Sequence, residues 1–330
     1  MNVSIEPVTG SPLIKVTLTN SYLSASFYNF GARMHQLFTP NKEGLSENIL
    51  LSYDSVEELL SDKSYFGAVV GPVAGRIKHA QWKDFPLEKN CGTHHIHGGS
   101  QGWSYQFWTI ELLEDPDVIG IRFHLEDSVS GYPGPINVRV TYKLVDHSLI
   151  MTTDYQSMNP TIVNPTSHSY FNLSGEGQQD LDTHSLLVNA SHLLETDKET
   201  LPTGKIIPVK ELPLDVSKMQ SFPAIFSSFK EGLDDCFILN KTLPTALTLT
   251  EQTSGRKMEI ATTNQSVVLF STTGFDAPFL INGKPMHSNY GLAIEPQQFP
   301  DSVHHPSWPS IELLPLQKRQ QETIYRFSCL

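Results

Sequence analysis

Two stretches of the chain alternate apolar and polar residues with a period of two. In residues 119–125, Ile119, Ile121, Phe123 and Leu125 fall on one side and Gly120, Arg122 and His124 on the other. In residues 138–144, Val138, Val140, Tyr142 and Leu144 oppose Arg139, Thr141 and Lys143. An extended chain sends successive side chains to opposite faces, so this pattern predicts antiparallel strands buried on one face and wetted on the other. The second stretch follows a Gly131-Tyr-Pro-Gly134 turn signal, and Asn282-Gly283 is a hairpin signal. Residues 13–18, 149–154, 247–250, 258–262 and 267–272 are further short strand candidates. The helical signal is confined to Ser55-Val-Glu-Glu58, a capping-box pattern ahead of Leu59 and Leu60. Short strands separated by Gly, Pro and Asn turns, without alternating helices, predict an all-β fold, a large antiparallel sandwich or barrel with few short helices. Linkers, repeats and low-complexity segments are missing, and the 22 prolines are spread along the chain, so residues 1–330 are expected to form a single domain.

Charge and cysteine usage narrow the function classes. The chain carries 23 basic and 35 acidic residues, a net −12, with the basic residues dispersed; a polyanion such as nucleic acid is repelled on average, and a small or neutral ligand is favoured. No run approaches the ~20 apolar residues of a membrane helix, and the N-terminus lacks the basic-then-apolar pattern of a signal peptide. Cys91, Cys236 and Cys329 are scattered, with neither zinc-type pairing nor a disulfide framework. A cytoplasmic protein with reduced thiols and no membrane partner is expected.

Five stretches hold residue types that do chemistry. In Asn164-Pro-Thr-Ser-His168-Ser-Tyr-Phe-Asn-Leu173, His168 stands among hydroxyl and aromatic residues after a proline, a setting for a proton donor or acceptor near neutral pH. In Ala293-Ile-Glu295-Pro-Gln-Gln-Phe-Pro-Asp301, Glu295 ends an apolar run, where partial desolvation raises a carboxyl toward the range of a general base. Gly71-Pro-Val-Ala-Gly-Arg76 delivers one arginine whose forked donors suit hydroxyls or a carboxylate, without the Gly-Lys-Ser/Thr of a phosphate loop. In Thr93-His-His-Ile-His97-Gly-Gly99, an extended chain would put His95 and His97 on one face, as in a two-imidazole metal site. The glycine pair more simply allows close backbone approach to a ligand, with His97 as a hydrogen-bonding group. Asp234 in Gly232-Leu-Asp-Asp-Cys-Phe237 is either a turn residue or an acceptor for sugar hydroxyls.

The stretches around Arg76, His97, His168, Asp234 and Glu295 together resemble the aldose 1-epimerase (galactose mutarotase) family in order and spacing. The His-Ser-Tyr-Phe-Asn-Leu and Glu-Pro-Gln-x-x-Pro-Asp stretches are the most specific. Ile96-His-Gly-Gly99 with Trp108 behind it, and Gly131-Tyr-Pro-Gly134 leading into Tyr142, add support. The resemblance implies a galactose mutarotase-like supersandwich with a ligand cleft on one sheet, acting on a free aldohexose such as galactose or glucose without cofactor or metal, as monomer or homodimer. It implies that Glu295 is the base on the anomeric hydroxyl, that His168 protonates the ring oxygen, and that Arg76, His97 and Asp234 hold the sugar. Four positions depart from the family pattern: Gly75 and Asp235 replace a common asparagine and histidine, and Leu269 and Ser271 stand where a glutamine and a tyrosine are frequent. All four are expected on the sugar-binding side, where they affect substrate preference. Competing expectations are a glycoside hydrolase using Asp234 and Glu295, an epimerase-fold protein acting on a disaccharide or hexose phosphate, a metal-dependent barrel enzyme, and a non-catalytic carbohydrate-binding protein.

Overall fold

The computed structural model describes residues 2–113 and 118–330. The alternating stretches become the second and third strands of a nine-stranded sheet. Its order is Thr109–Leu112, Ile119–Asp127, Ile136–Val145, Ser148–Ser157, Lys318–Cys329, Arg256–Thr262, Leu247–Glu251, His184–Val188 and Gln220–Ser221. A six-stranded sheet runs Tyr170–Phe171, Leu292–Gln297, Ser266–Ser271, Asp234–Leu239, Ala190–Thr196 and Pro202–Pro208. Both are antiparallel at every ladder. The C-terminal strand Lys318–Cys329 joins the two halves of the larger sheet, pairing with Ser148–Ser157 on one side and Arg256–Thr262 on the other.

The two sheets face each other through one continuous hydrophobic core. Phe237, Leu269 and Ile294 of the smaller sheet share it with Leu249, Ile260 and Tyr325 of the larger. This is the layered architecture that one-sided strands require. A five-stranded meander, residues 2–48, packs on the first strands of the larger sheet, where Phe27 meets Tyr142 with ring centroids 4.5 Å apart. Because the inward face of the six-stranded sheet is committed to the core, its other face is available for ligand.

Helix is scarce, as expected. Val56–Leu60 is capped by Ser55, whose side chain accepts from the Glu58 amide at 3.1 Å. A second helix, Phe222–Ser228, was not expected: seven residues with a proline in the first turn give no amphipathic period, and burial of Phe222 and Ile225 holds it. Asn282 and Gly283, with φ of 52° and 76°, form the tight turn between Ala277–Ile281 and Lys284–Met286. Among the described residues no helix is long and apolar enough to cross a membrane.

Candidate active site

Register decides what faces the cleft. In the six-stranded sheet Cys236 pairs with Val268 and Val268 with Glu295; Asp234 pairs with Phe270, Phe270 with Ala293 and Ala293 with Tyr170. Paired residues share a face, so Asp234, Val268, Phe270, Glu295 and Tyr170 all point away from the core. His168 lies one two-residue step before Tyr170, on the same side. Its backbone is clasped by Gly67 and Ala68: the His168 amide donates to the Ala68 carbonyl at 2.9 Å and its carbonyl accepts from Gly67 at 3.0 Å. The result is a cross-strand contact of 3.3 Å between His168 Nε2 and Glu295 Oε1.

Arg76 and His97 reach the same cleft from a separate ladder. Arg76–Ile77 pairs with His95–Ile96, and Asn90 holds the Ile96 backbone from both sides, accepting from its amide at 2.8 Å and donating to its carbonyl at 2.9 Å. His97 accepts from the Gly75 amide on Nδ1 at 3.2 Å and brings its ring edge-on to His168, centroids 5.5 Å apart. All five expected residues, Arg76, His97, His168, Asp234 and Glu295, thus line one cavity of about 280 Å³.

Burial sets the protonation states. Glu295 is 3% exposed, and desolvation, reinforced by the Asp234 charge, pushes its carboxyl well above the usual carboxylate range. Burial pulls His168 the other way, down to about 4, against smaller opposing contributions from its own backbone and the Asp62 charge. Both groups therefore favour their neutral forms, and the pair holds one proton. His97 is driven well below its ordinary value by desolvation and by neighbouring His168 and Arg76, so it meets a ligand as neutral imidazole. Asp234 sits at the open side of the cleft, its carboxyl raised by partial desolvation and held back by Arg76. Among the described residues, His168 Nδ1, Glu295 Oε2 and Gln297 Oε1, all on residues that line the cleft, are buried without a hydrogen-bond partner from another residue.

Several expectations need correction. His95 and His97 do not converge as a ligand pair. The chain leaves the extended conformation at His97, with φ of 54°, and both ring nitrogens of His95 are engaged, Nδ1 with the Glu88 carbonyl and Nε2 with the Tyr132 hydroxyl, each at 2.7 Å. Gly98 serves the protein's own backbone rather than a ligand: its φ is 83°, and a Cβ there would run into the Gly71 carbonyl. Of the four departures from the family pattern, Gly75 lines the cleft. Asp235 and Leu269 pair with each other on the opposite face; Leu269 is core, and buried Ser271 accepts the Leu233 amide at 2.8 Å. A one-residue shift in a strand exchanges its faces. The cleft residues of that strand are Val268 and Phe270, both apolar.

The chain compares with known proteins along nearly its whole length. A sequence model of the aldose 1-epimerase family matches residues 15–326. The chain belongs to the aldose 1-epimerase family. It is 31% identical to the galactose mutarotase of Rattus norvegicus over 98% of this chain and 96% of that protein. The aldose 1-epimerase of Streptococcus thermophilus is 28% identical over 95% and 94%. Among solved structures, an aldose epimerase homologue from C. elegans superposes with a TM-score of 0.87 at 27% identity, covering 97% of this chain and all of that one. The galactose 1-epimerase of Lactobacillus acidophilus gives 0.86 at 25%, covering 99% and 98%. These relatives are isomerases by name, and this chain is an isomerase with them.

Tyr65, Tyr170, Val268 and Phe270 also line the cleft, and sequence reasoning assigned none of them a place there. Tyr170 stood in the His168 motif, two residues on, but its strand, Tyr170–Phe171, is too short to show a period. Tyr65 carries no such signal, because it lies in an irregular turn.

Proposed function

We propose that this protein is a mutarotase, interconverting the α and β anomers of a free aldohexose such as galactose or glucose. The observation that carries the reading is the 3.3 Å contact between the buried His168 and Glu295 side chains. Mutarotation acts on two oxygens attached to one carbon, the anomeric hydroxyl and the ring oxygen, so acid and base must stand side by side. Glu295, as carboxylate, takes the anomeric hydroxyl proton while His168, as imidazolium, gives its proton to the ring oxygen. The bond from C1 to the ring oxygen breaks and C1 becomes an aldehyde carbonyl. Rotation about C1–C2 presents the other carbonyl face. Reclosure with proton roles reversed, Glu295 now donating and His168 accepting, yields the opposite anomer and restores both groups.

The proton count supports this cycle. A pair holding one proton is either neutral acid with neutral imidazole or carboxylate with imidazolium, and a polar sugar between the groups favours the second form over the first. Each positioned proton transfer contributes on the order of 10²–10⁴-fold. Arg76, the neutral His97 and Asp234 offer donors and acceptors that fix the sugar ring against the pair. A glycosidase reading lacks comparable support, since Asp234 and Glu295 lie on strands separated by a third and two residues out of register.

The bond that breaks gives a direct test. An aldohexose carrying ¹⁸O on its anomeric hydroxyl retains the label through many anomerisations if C1 parts from the ring oxygen. Label lost to water at the rate of anomerisation would overturn the reading in favour of displacement at C1.

A further inference from the structure

Among the described residues no other residue's side chain or backbone bonds His168 Nδ1, whose only support of that kind is its own backbone, and Nε2 faces Glu295. What surrounds the imidazole is aromatic. Tyr170 lies 5.0 Å away and Tyr65 5.7 Å, both tilted, with His97 edge-on. Tyr65 holds its place in a strained conformation, φ 60°, in an irregular turn that needs an external cause of order.

That cause lies directly beneath. Arg33 and Asp62, each 1% exposed, form an ion pair of 2.7 Å. The same Arg33 nitrogen donates to the Phe66 carbonyl at 2.6 Å. Asp62 Oδ1 accepts from the Tyr53 hydroxyl at 2.7 Å and from the Ser64 amide at 2.6 Å. The Tyr170 hydroxyl donates to the Ser64 carbonyl at 3.1 Å, and Gly67 closes the turn where a Cβ would strike the Met34 carbonyl. Tyr65 is thus flanked on both sides by residues tied to the ion pair, and Tyr170 is tied to the same turn. A buried ion pair is a poor device for stability, because desolvation of two charges offsets their attraction; its attested use is to fix one geometry among several.

We propose that Asp62, paired with Arg33, is a positioning residue for the reaction: through the 62–66 turn it sets Tyr65 and Tyr170 as the walls that hold the His168 imidazole against Glu295. The inference rests on the reading of His168 as the acid. Asp62 touches no substrate and acts through Tyr65 and Tyr170.

The test is steady-state mutarotation by polarimetry on four proteins: wild type, Asp62→Asn, Tyr65→Ala and Tyr65→Phe, with melting temperature recorded for each. Misplacing a catalytic group by about an ångström costs up to about 100-fold. Asp62→Asn and Tyr65→Ala are therefore expected to lose about 10- to 100-fold in kcat with KM changed less than about threefold, while Tyr65→Phe, which keeps the ring, loses less than Tyr65→Ala. If Asp62→Asn does not fold, the two Tyr65 variants decide. Wild-type kcat in Tyr65→Ala, or a loss confined to KM, would overturn the proposal, the latter by making Tyr65 a substrate contact. Wild type that fails to accelerate mutarotation would instead overturn the reading of His168 beneath it.

Discussion

Glu295 and His168 hold one proton between them, and that fixes the pH dependence. His168 is pulled down to about 4 and Glu295 pushed well above the ordinary carboxylate range. The pair gains a second proton only as pH falls through about 4, which removes the base. It loses its single proton only at a pH well above the usual carboxylate range, which removes the acid. The expected kcat profile has an acid limb near pH 4 and a plateau above it, measured by polarimetry across buffers; an acid limb near 6.5, the value of an unperturbed histidine, would contradict the burial argument. Both residues were legible because each stands in a short stretch of unusual composition, a histidine among hydroxyl and aromatic residues and a glutamate before proline. Asp62 and Arg33 were not legible. An acidic residue after a short helix and an arginine entering a strand are common surface features, and only the folded chain brings them together across 29 positions of sequence.

At the scale of the strand, Ser266–Ser271 separates two environments one residue apart. Val268 faces the cleft and Leu269 the core. Val268→Arg is expected to raise KM about tenfold or more, equivalent to about 1.4 kcal/mol of binding, with the melting temperature nearly unchanged. Leu269→Arg buries an unpaired charge and is expected to cost more than about 3 kcal/mol of stability. Denaturation midpoints together with KM check both, and the opposite pattern would mean the register is reversed. Alternation made the long strands readable, because Ile119, Ile121, Phe123 and Leu125 each need burial on the same side. It could not find the two-residue ladders Arg76–Ile77, His95–Ile96 and Tyr170–Phe171, which are too short to show a period yet carry or adjoin Arg76, His97 and Tyr170 of the cleft. The edge strand Pro202–Pro208 escaped for a different reason: mostly exposed, it has no apolar face to display.

For the whole molecule, Asp235 links pH to stability. Burial and the adjacent Asp234 push its carboxyl up to about 6. A carboxyl whose folded value exceeds its unfolded one, about 3.9, binds its proton more tightly when folded. Stability is thus greatest below the unfolded value, falls as pH rises toward 6 and levels off above it. Asp235→Asn removes this penalty. Thermal denaturation is expected to find the variant more stable by on the order of 1–2 kcal/mol at pH 8, allowing for partial exposure, and equal to wild type near pH 4. A gain of the same size at both would contradict the assignment.

The measurement that bears most directly on the central claim is optical rotation after dissolving pure α-D-galactose, with wild type, Glu295→Gln and His168→Asn at equal folded concentration. Wild type is expected to hasten the approach to the spontaneous end point, unaffected by chelator, and each variant to lose about 10²–10⁴-fold. A wild-type rate no faster than buffer, or variants as fast as wild type, would contradict a mutarotase built on this pair.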